Sequence, residues 1–346
     1  MRNIKTSLIL MLSLILIFTS ACTSNDTDTP VVNKNDFEPV VLKFGNQHPV
    51  DSIATKADKE ICAEIEEATE GRVKVELYTD SSLGDYTNIF EEVMVGSIDM
   101  AHITAVETYD ARMSGSMLPY LGSNYEELKK AYDPNNYLYK TVFESAQELG
   151  IRTFGFFCEG FSGVGVNKPL ENANIPNADK GVVVRVPGLD NFAVGITELG
   201  FRTSTIAYSD TYTSIQTGVV DGWAAGPANL NYLYFRDVIT HYYDYMTNQE
   251  ATQIIMNEKV FQSLLPEDQE AITEIIQRKC QESFELAAED DEKYMKLMED
   301  YGIEVIRFTD EERQAFAEVV RQNVWPKLAK NSSQEFIDNI LESINN

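Results

Sequence analysis

Positive charge is scarce in this chain. Its 28 Lys and Arg stand against 55 Asp and Glu over 346 residues, a formal net charge of −27. Such a field repels nucleic acid and anionic membrane surfaces, so neither is expected as a binding partner. Histidine is scarcer still: His48, His102 and His241 lie far apart, with no spacing that suits a zinc ion. Cysteine occurs four times without a Cys-x-x-Cys pair. Beyond Cys22, the residues Cys62, Cys158 and Cys280 could form at most one disulfide, and a body of this size needs none. A Gly-x-Ser-x-Gly elbow, a His-Glu-x-x-His helix and a Walker loop are all missing. No catalytic residues, metal ligands or cofactor motif can therefore be named, and the expected activity is binding rather than catalysis.

Long apolar runs are also lacking, with one exception. Arg2 and Lys5 precede the uncharged stretch Ser7 to Phe18, too short to span a bilayer comfortably but suited to the core of a signal peptide. It ends in Thr19-Ser-Ala-Cys22, small residues before a cysteine, the pattern of a lipid-attachment site. Residues 1–21 read as a signal peptide, with Cys22 as the acylated mature N-terminus; an ordinary secretory signal cleaved nearby is the alternative. Residues 22–38 are polar and aperiodic, a flexible tether. The remaining roughly 308 residues suffice for two domains.

What the body contains is a repeat. The first copy opens with strand-like Val40 to Gly45, then a helix from Ser52 to Thr69 stopped near Gly71. A strand over Arg72 to Tyr78, a helix through Ile89 to Val95, Gly96-Ser-Ile-Asp99 and a strand over Met100 to Thr104 follow. The second copy runs strand Val182 to Val186, helix Asn191 to Leu199, Gly200, and strand Thr203 to Ala207. A helix over Tyr212 to Thr217, capped by Ser209, then leads to Gly218-Val-Val-Asp221. Two related α/β lobes are expected. A helix of some 35 residues from Leu265 to Tyr301 would extend roughly 50 Å, enough to brace both. Thr309-Asp-Glu-Glu312 forms a capping box for another helix. The expected lobes are 39–161 with about 251–290, and 162–250 with about 291–346, around a cleft that closes by hinge motion.

One residue stands out against this frame. Arg185 follows three valines at the carboxyl end of a strand, where ligands of open α/β sheets sit. A buried guanidinium needs a negative partner. That partner is either a small organic anion or an internal acid such as Asp190 or Asp221; spacing alone leaves both open. Tyr208 and Trp223 lie where strands meet loops and could wall the cleft.

Several segments resemble the DctP-type extracytoplasmic solute-binding proteins of tripartite ATP-independent periplasmic (TRAP) transporters. They are Glu67-Ala-Thr-Glu-Gly-Arg-Val-Lys-Val75, Ser82-Leu-Gly-Asp85, Gly96-Ser-Ile-Asp-Met100, Met117-Leu-Pro-Tyr-Leu121, Lys180-Gly-Val-Val-Val-Arg-Val-Pro187 and Gln216-Thr-Gly-Val-Val-Asp-Gly222. The resemblance implies a two-lobed, periplasmic-binding-protein-like α/β fold of type II with a long C-terminal spine helix. It also implies a lipid-anchored subunit that passes its ligand to membrane permease subunits driven by an ion gradient. The family's carboxylate-binding arginine falls on Arg185. Tyr208 matches an aromatic set against the ligand, while Gln47, His48 and Glu107 match cleft-lining loops. Departures from the pattern bear on specificity. Ser162 stands where many members carry a second cleft arginine, and Trp223 replaces a frequent glutamine. Gly188 stands where some sialic-acid binders use asparagine. The implied ligand is an organic or sugar acid held at Arg185, with Trp223 as a wall and Ser162, Gln47 and Glu107 as polar contacts. A module serving another transporter or a sensor kinase, or an extracellular enzyme on the same scaffold, are the alternatives.

Overall fold

The computed structural model describes residues 38–329 and 333–345, apart from the side chains of residues 114, 190 and 345. The expected signal peptide, Cys22 and all but the last residue of the expected tether lie outside the described residues. The first copy of the repeat folds as β1 (Val40–Asn46), α1 (Ile53–Ala68), β2 (Val73–Tyr78), α2 (Tyr86–Val95) and β3 (Met100–Ile103). A 3-10 helix (Ala111–Met117), α3 (Tyr125–Ala131) and α4 (Tyr137–Glu148) lead to β4 (Ile151–Phe161) and β5 (Val164–Val166). The second copy is β6 (Val183–Val186), α5 (Asp190–Glu198), β7 (Arg202–Thr205), α6 (Thr211–Gln216) and β8 (Gly222–Ala224). Then come α7 (Ala228–Leu230), a π-helical turn (Asn231–Phe235), β9 (His241–Asp244), β10 (Gln249–Asn257) and α8 (Glu258–Ser263). The chain ends with α9 (Pro266–Tyr301), β11 (Glu304–Arg307), α10 (Asp310–Leu328) and α11 (Gln334–Asn345).

The repeat is real in three dimensions. One sheet has the order β2-β1-β3-β10-β4, the other β11-β9-β5-β8-β6-β7, so the triplets β2-β1-β3 and β7-β6-β8 correspond. Within each triplet the pairings are parallel. The Gly-x-x-Asp motif owes its recurrence to a clamp. The carboxylate of Asp99 accepts from the backbone N–H of Lys43 at 2.7 Å, and that of Asp221 from Val183 N–H at 2.8 Å. Each Asp N–H donates back to the same residue's carbonyl. The preceding glycines, Gly96 and Gly218, hold φ of 80° and 75°, a left-handed turn that strains other residues. Each motif thus ends a helix and pins the next strand to the first strand of its copy.

Two short crossovers join the sheets. One runs from β4 to β5 through Ser162 and Gly163, the other from β9 to β10 through residues 245–248. They are bonded to each other: Ser162 N–H donates to Asn248 O at 2.6 Å, and Thr247 N–H to Ser162 O at 3.0 Å. Helix α9 braces both sheets over 36 residues, about 54 Å at 1.5 Å per residue. Ile272, Ile276 and Cys280 pack into the core under the first sheet; Tyr294, Met295 and Met298 pack under the second. Midway, the buried Asp291 carboxylate accepts from the Tyr125 hydroxyl and from Phe161 N–H beside the first crossover. Burial pushes that carboxyl up to about 8.

Three details depart from expectation. Helix α6 starts at Thr211 without a side-chain cap, because Ser209 lies inside a 3-10 turn, Tyr208–Asp210, that feeds it. Glu70 as well as Gly71 turns left-handed after α1. Helix α11, expected with the second lobe, instead packs on α3 and α4, where Phe336, Ile337 and Ile340 join a core cluster with Leu138 and Val142. Cys62, Cys158 and Cys280 are all free. Among the described residues, no helix is long and apolar enough to cross a membrane.

Candidate functional site

The carboxyl ends of the parallel strands of both copies meet around one cavity. The first copy contributes Gln47 and His48 after β1, Ser81 and Asp85 after β2, and Thr104 after β3. The second contributes Arg185 and Pro187 at the end of β6, Tyr208 after β7 and Ala225 after β8. Every equivalent strand end therefore reaches the same space, the expected ligand position of an open α/β sheet. Tyr86, Phe192 and Tyr208 give it aromatic surface. An outer, more open space shares Gln47, Ser81, Asp85 and Tyr208 with it. Across that mouth Tyr234 OH donates to Asp80 Oδ1 at 2.5 Å, linking the two copies.

Among the described residues, Arg185 is the one arginine lining the cavity. Alternation along β6 puts Val184 and Val186 into the core on one face and leaves Arg185 on the other. It is 3 % exposed. Its Nε donates to Ile206 O at 2.8 Å, which fixes the plane of the guanidinium, and the group sits 5.7 Å from the Tyr208 ring centre. No ion pair among the described side chains includes it. Of the internal partners considered, Asp221 is committed elsewhere, to Lys168 Nζ at 2.8 Å and to Val183 N–H. The side chain of Asp190 lies outside the described ones. Burial therefore pulls Arg185 down to about 10, with Tyr208, Tyr86, Asp85 and Glu250 offsetting only part of it. A buried guanidinium held without an ion pair calls for a negative partner.

The other expected site residues divide. Gln47 lines the cavity, with its amide spent on Thr104: Nε2 donates to Thr104 Oγ1 at 2.8 Å and Oε1 accepts Thr104 N–H at 2.9 Å. His48 lines it too, with Nδ1 3.2 Å from Glu159 Oε2. Burial lowers the His48 ring, but Glu159 foremost, then Asp58 and Glu250, hold it above its ordinary value. Burial likewise raises Glu159, and His48 and His102 more than reverse that, so the two form an ion pair. Tyr208 stands where the inner and outer spaces join, and burial pushes its phenol well up.

Trp223, Ser162 and Glu107 do not line the cavity. Trp223 is 1 % exposed, its Nε1 donates to Asn231 Oδ1 at 2.8 Å, and its ring packs on Phe235 at 4.4 Å. A Cβ on Gly226 would strike the indole at 2.0 Å, so that glycine makes the room that draws the ring into the core. Ser162 is buried in the crossover, and its backbone groups tie the two crossovers together. Glu107 lies half-buried in the turn beyond β3, outside the lining.

Sequence reasoning missed Glu250, a cavity-lining carboxylate at the start of β10, and Tyr86, the residue after Ser82-Leu-Gly-Asp85. It also missed a convergence behind the cavity. His48, His102 and Glu159, 111 positions apart at their extremes, come within 4.8 Å of one another. Most of their polar atoms are engaged: His102 Nδ1 meets Asp58 at 2.8 Å, Nε2 meets Thr252 at 2.8 Å, and Thr252 donates to Glu159 at 3.1 Å, while His48 Nε2 has no hydrogen-bond partner among the described residues. The cluster is a hydrogen-bonded network that stiffens the cavity floor.

The family model for bacterial extracellular solute-binding proteins, family 7 (DctP), matches residues 44–331. The chain belongs to that family. This solute-binding protein is 26% identical over 289 residues to the C4-dicarboxylate-binding periplasmic protein DctP of Rhodobacter capsulatus, covering 82% of this chain and 85% of the relative. It is 24% identical over 244 residues to the sialic acid-binding periplasmic protein SiaP of Vibrio cholerae, covering 68% and 73% of the two chains. Its fold matches that of a TRAP periplasmic solute-binding protein of Roseobacter denitrificans with bound L-galactonate, at a TM-score of 0.75 and 20% identity, over 90% of this chain and 100% of that one. A Sulfitobacter TRAP protein with bound β-D-galacturonate matches at a TM-score of 0.77 and 22% identity, over 88% and 100%. Identities this low carry the two-lobed α/β fold and not the ligand.

Proposed function

We propose that this solute-binding protein is the substrate-binding subunit of a TRAP transporter and captures a carboxylate-bearing organic anion, an organic or sugar acid, between its two lobes. The observation that carries the reading is Arg185, buried at the strand ends of the cavity without an internal ion pair among the described side chains. Its terminal nitrogens suit a bidentate carboxylate. Relatives with L-galactonate, β-D-galacturonate or C4-dicarboxylates as ligands support an acid of this size. Tyr208, Tyr86 and Phe192 supply apolar contact around the ion pair. The bonded crossovers at Ser162 and Thr247 act as the hinge, and closure hands the loaded protein to membrane permease subunits. Cys22 carries the lipid anchor; release of the Cys22→Ser protein from the membrane fraction is the expected result, and retention contradicts it.

A thermal-shift panel tests the reading. L-galactonate, β-D-galacturonate, succinate and hydroxy monocarboxylates are compared with galactose and other neutral or cationic compounds. At a hundredfold its Kd, a ligand stabilises by about 2.7 kcal/mol, so at least one acid is expected to raise Tm by several degrees. A rise with neutral or cationic compounds alone sinks the carboxylate reading.

A further inference from the structure

The cavity that holds Arg185 also holds a buried carboxylate without a cation of its own. Glu250, the second residue of β10, is 7 % exposed and lines the cavity. Its Oε1 accepts the Thr104 hydroxyl at 3.1 Å, and no ion pair among the described side chains includes it. The groups around it come from several elements. Glu159 on β4 repels it; His48, in the loop after β1, attracts it but is paired to Glu159. Arg185 on β6 attracts it across the cavity. Asp85, Tyr86 and Tyr208 line the same space. Asp85 is engaged locally: its Oδ1 caps α2, accepting from Thr87 N–H at 3.1 Å and Thr87 Oγ1 at 2.9 Å.

The charge balance changes when an anion arrives. Of the two cations that attract Glu250, His48 faces Glu159 and Arg185 belongs to no ion pair among the described side chains. A ligand carboxylate on Arg185 takes that counter-charge and adds a second negative group to the same poorly hydrated space. Two carboxylates in such a space do not both stay ionised. Protonation removes the repulsion and turns Glu250 into a donor, and an O–H···O⁻ bond is short and strong.

We propose that Glu250 is a specificity-determining residue that enters the loaded site as a carboxylic acid, taking one proton from solvent as the anion binds and donating its hydroxyl hydrogen bond to the ligand. No covalent bond of the ligand breaks; the proton passes from a hydronium ion to a Glu250 oxygen and stays there until release. The proposal rests on the carboxylate reading of Arg185. It supplies the second anion-holding group that a lone arginine leaves wanting. Burial foremost, and then Glu159, already pushes the empty-state carboxyl up to about 7, so the proton is at hand near neutrality.

The sign of the pH effect follows. Below about 7 Glu250 is protonated before and after binding, and affinity is flat. Above that value the free protein must take up a proton to bind, so affinity falls by up to about tenfold per pH unit. The test is calorimetry with the panel acid that gives the largest thermal shift, from about pH 6 to about pH 9, in two buffers of different ionisation heat. The wild type should take up close to one proton per acid near the upper end. Glu250→Gln, neutral and still a donor, should bind with an affinity that no longer falls with pH and without uptake. Flat wild-type affinity with no uptake overturns the proposal. So does uptake that persists in Glu250→Gln, which would point to His48, or loss of binding at every pH in a Glu250→Gln protein that melts normally. If Arg185→Ala abolishes binding but no proton is taken up, only the role of Glu250 falls; if no acid binds, the carboxylate reading falls with it.

Discussion

Arg185→Ala is expected to weaken binding of the cognate acid at least about thirtyfold while leaving the unliganded fold as stable as before. The affinity loss follows from removing one partner of a buried, hydrogen-bonded charge pair, which costs about 2–5 kcal/mol. The second half of the expectation separates a ligand-binding arginine from a structural one. Breaking an internal buried ion pair destabilises a fold by about 3–5 kcal/mol, because a charge is left behind. Arg185 has no such partner among the described side chains, where its Nε donates to Ile206 O and its guanidinium lies over the Tyr208 ring. On the proposed reading, its burial is a cost that a bound anion relieves. Calorimetric titration gives the affinity and thermal melting gives the stability. Unchanged affinity removes Arg185 from its role, and a large fall in Tm makes it structural.

Trp223→Ala should do the reverse. Emptying a well-packed site of a large aromatic costs about 3–5 kcal/mol, and here the lost indole also deprives Asn231 Oδ1 of its donor. Asn231 keeps its bonds to Gly226 O and Pro227 O at 3.0 Å, so the turn after β8 should survive, but the core beneath Tyr208 is left hollow. Denaturant unfolding is expected to report that loss, with a modest change in affinity for the protein that remains folded. A strong loss of affinity with stability intact would put the indole back in the cavity wall.

What could be read from the sequence and what could not divides along contact range. The repeat was legible because each copy announces itself locally: an alternating or all-valine strand, a helix, a glycine stop. Asp99 and Asp221 were visible as a motif, and the structure supplies their reason, the clamp on Lys43 and Val183. Arg185 was legible because a charge inside a valine run breaks the pattern of its own strand. Glu250 breaks no pattern. It sits in Asn248-Gln-Glu-Ala-Thr-Gln253, which reads as a polar loop, yet every residue of β10 is buried. Its buried face meets a polar network rather than an oily core, and nothing in the local order of residues records that. The partnership of His48 with Glu159, 111 positions away, is equally silent until the chain folds. Trp223 was misplaced because a strand-end aromatic suits a cavity wall and a core alike. The deciding signal was Gly226, whose missing side chain makes space for the ring. Strands of three or four residues such as β5 and β9 are too short for any periodicity to show.

What meets the Arg185 guanidinium when the cavity is filled is the deciding contact. A crystal structure of the protein with the panel acid of highest affinity decides it. A ligand carboxylate is expected within about 2.7–2.9 Å of the terminal nitrogens of Arg185, with the Nε bond to Ile206 O kept. A ligand whose carboxylate lies elsewhere, or a guanidinium turned away to an acid of the protein itself, would contradict it.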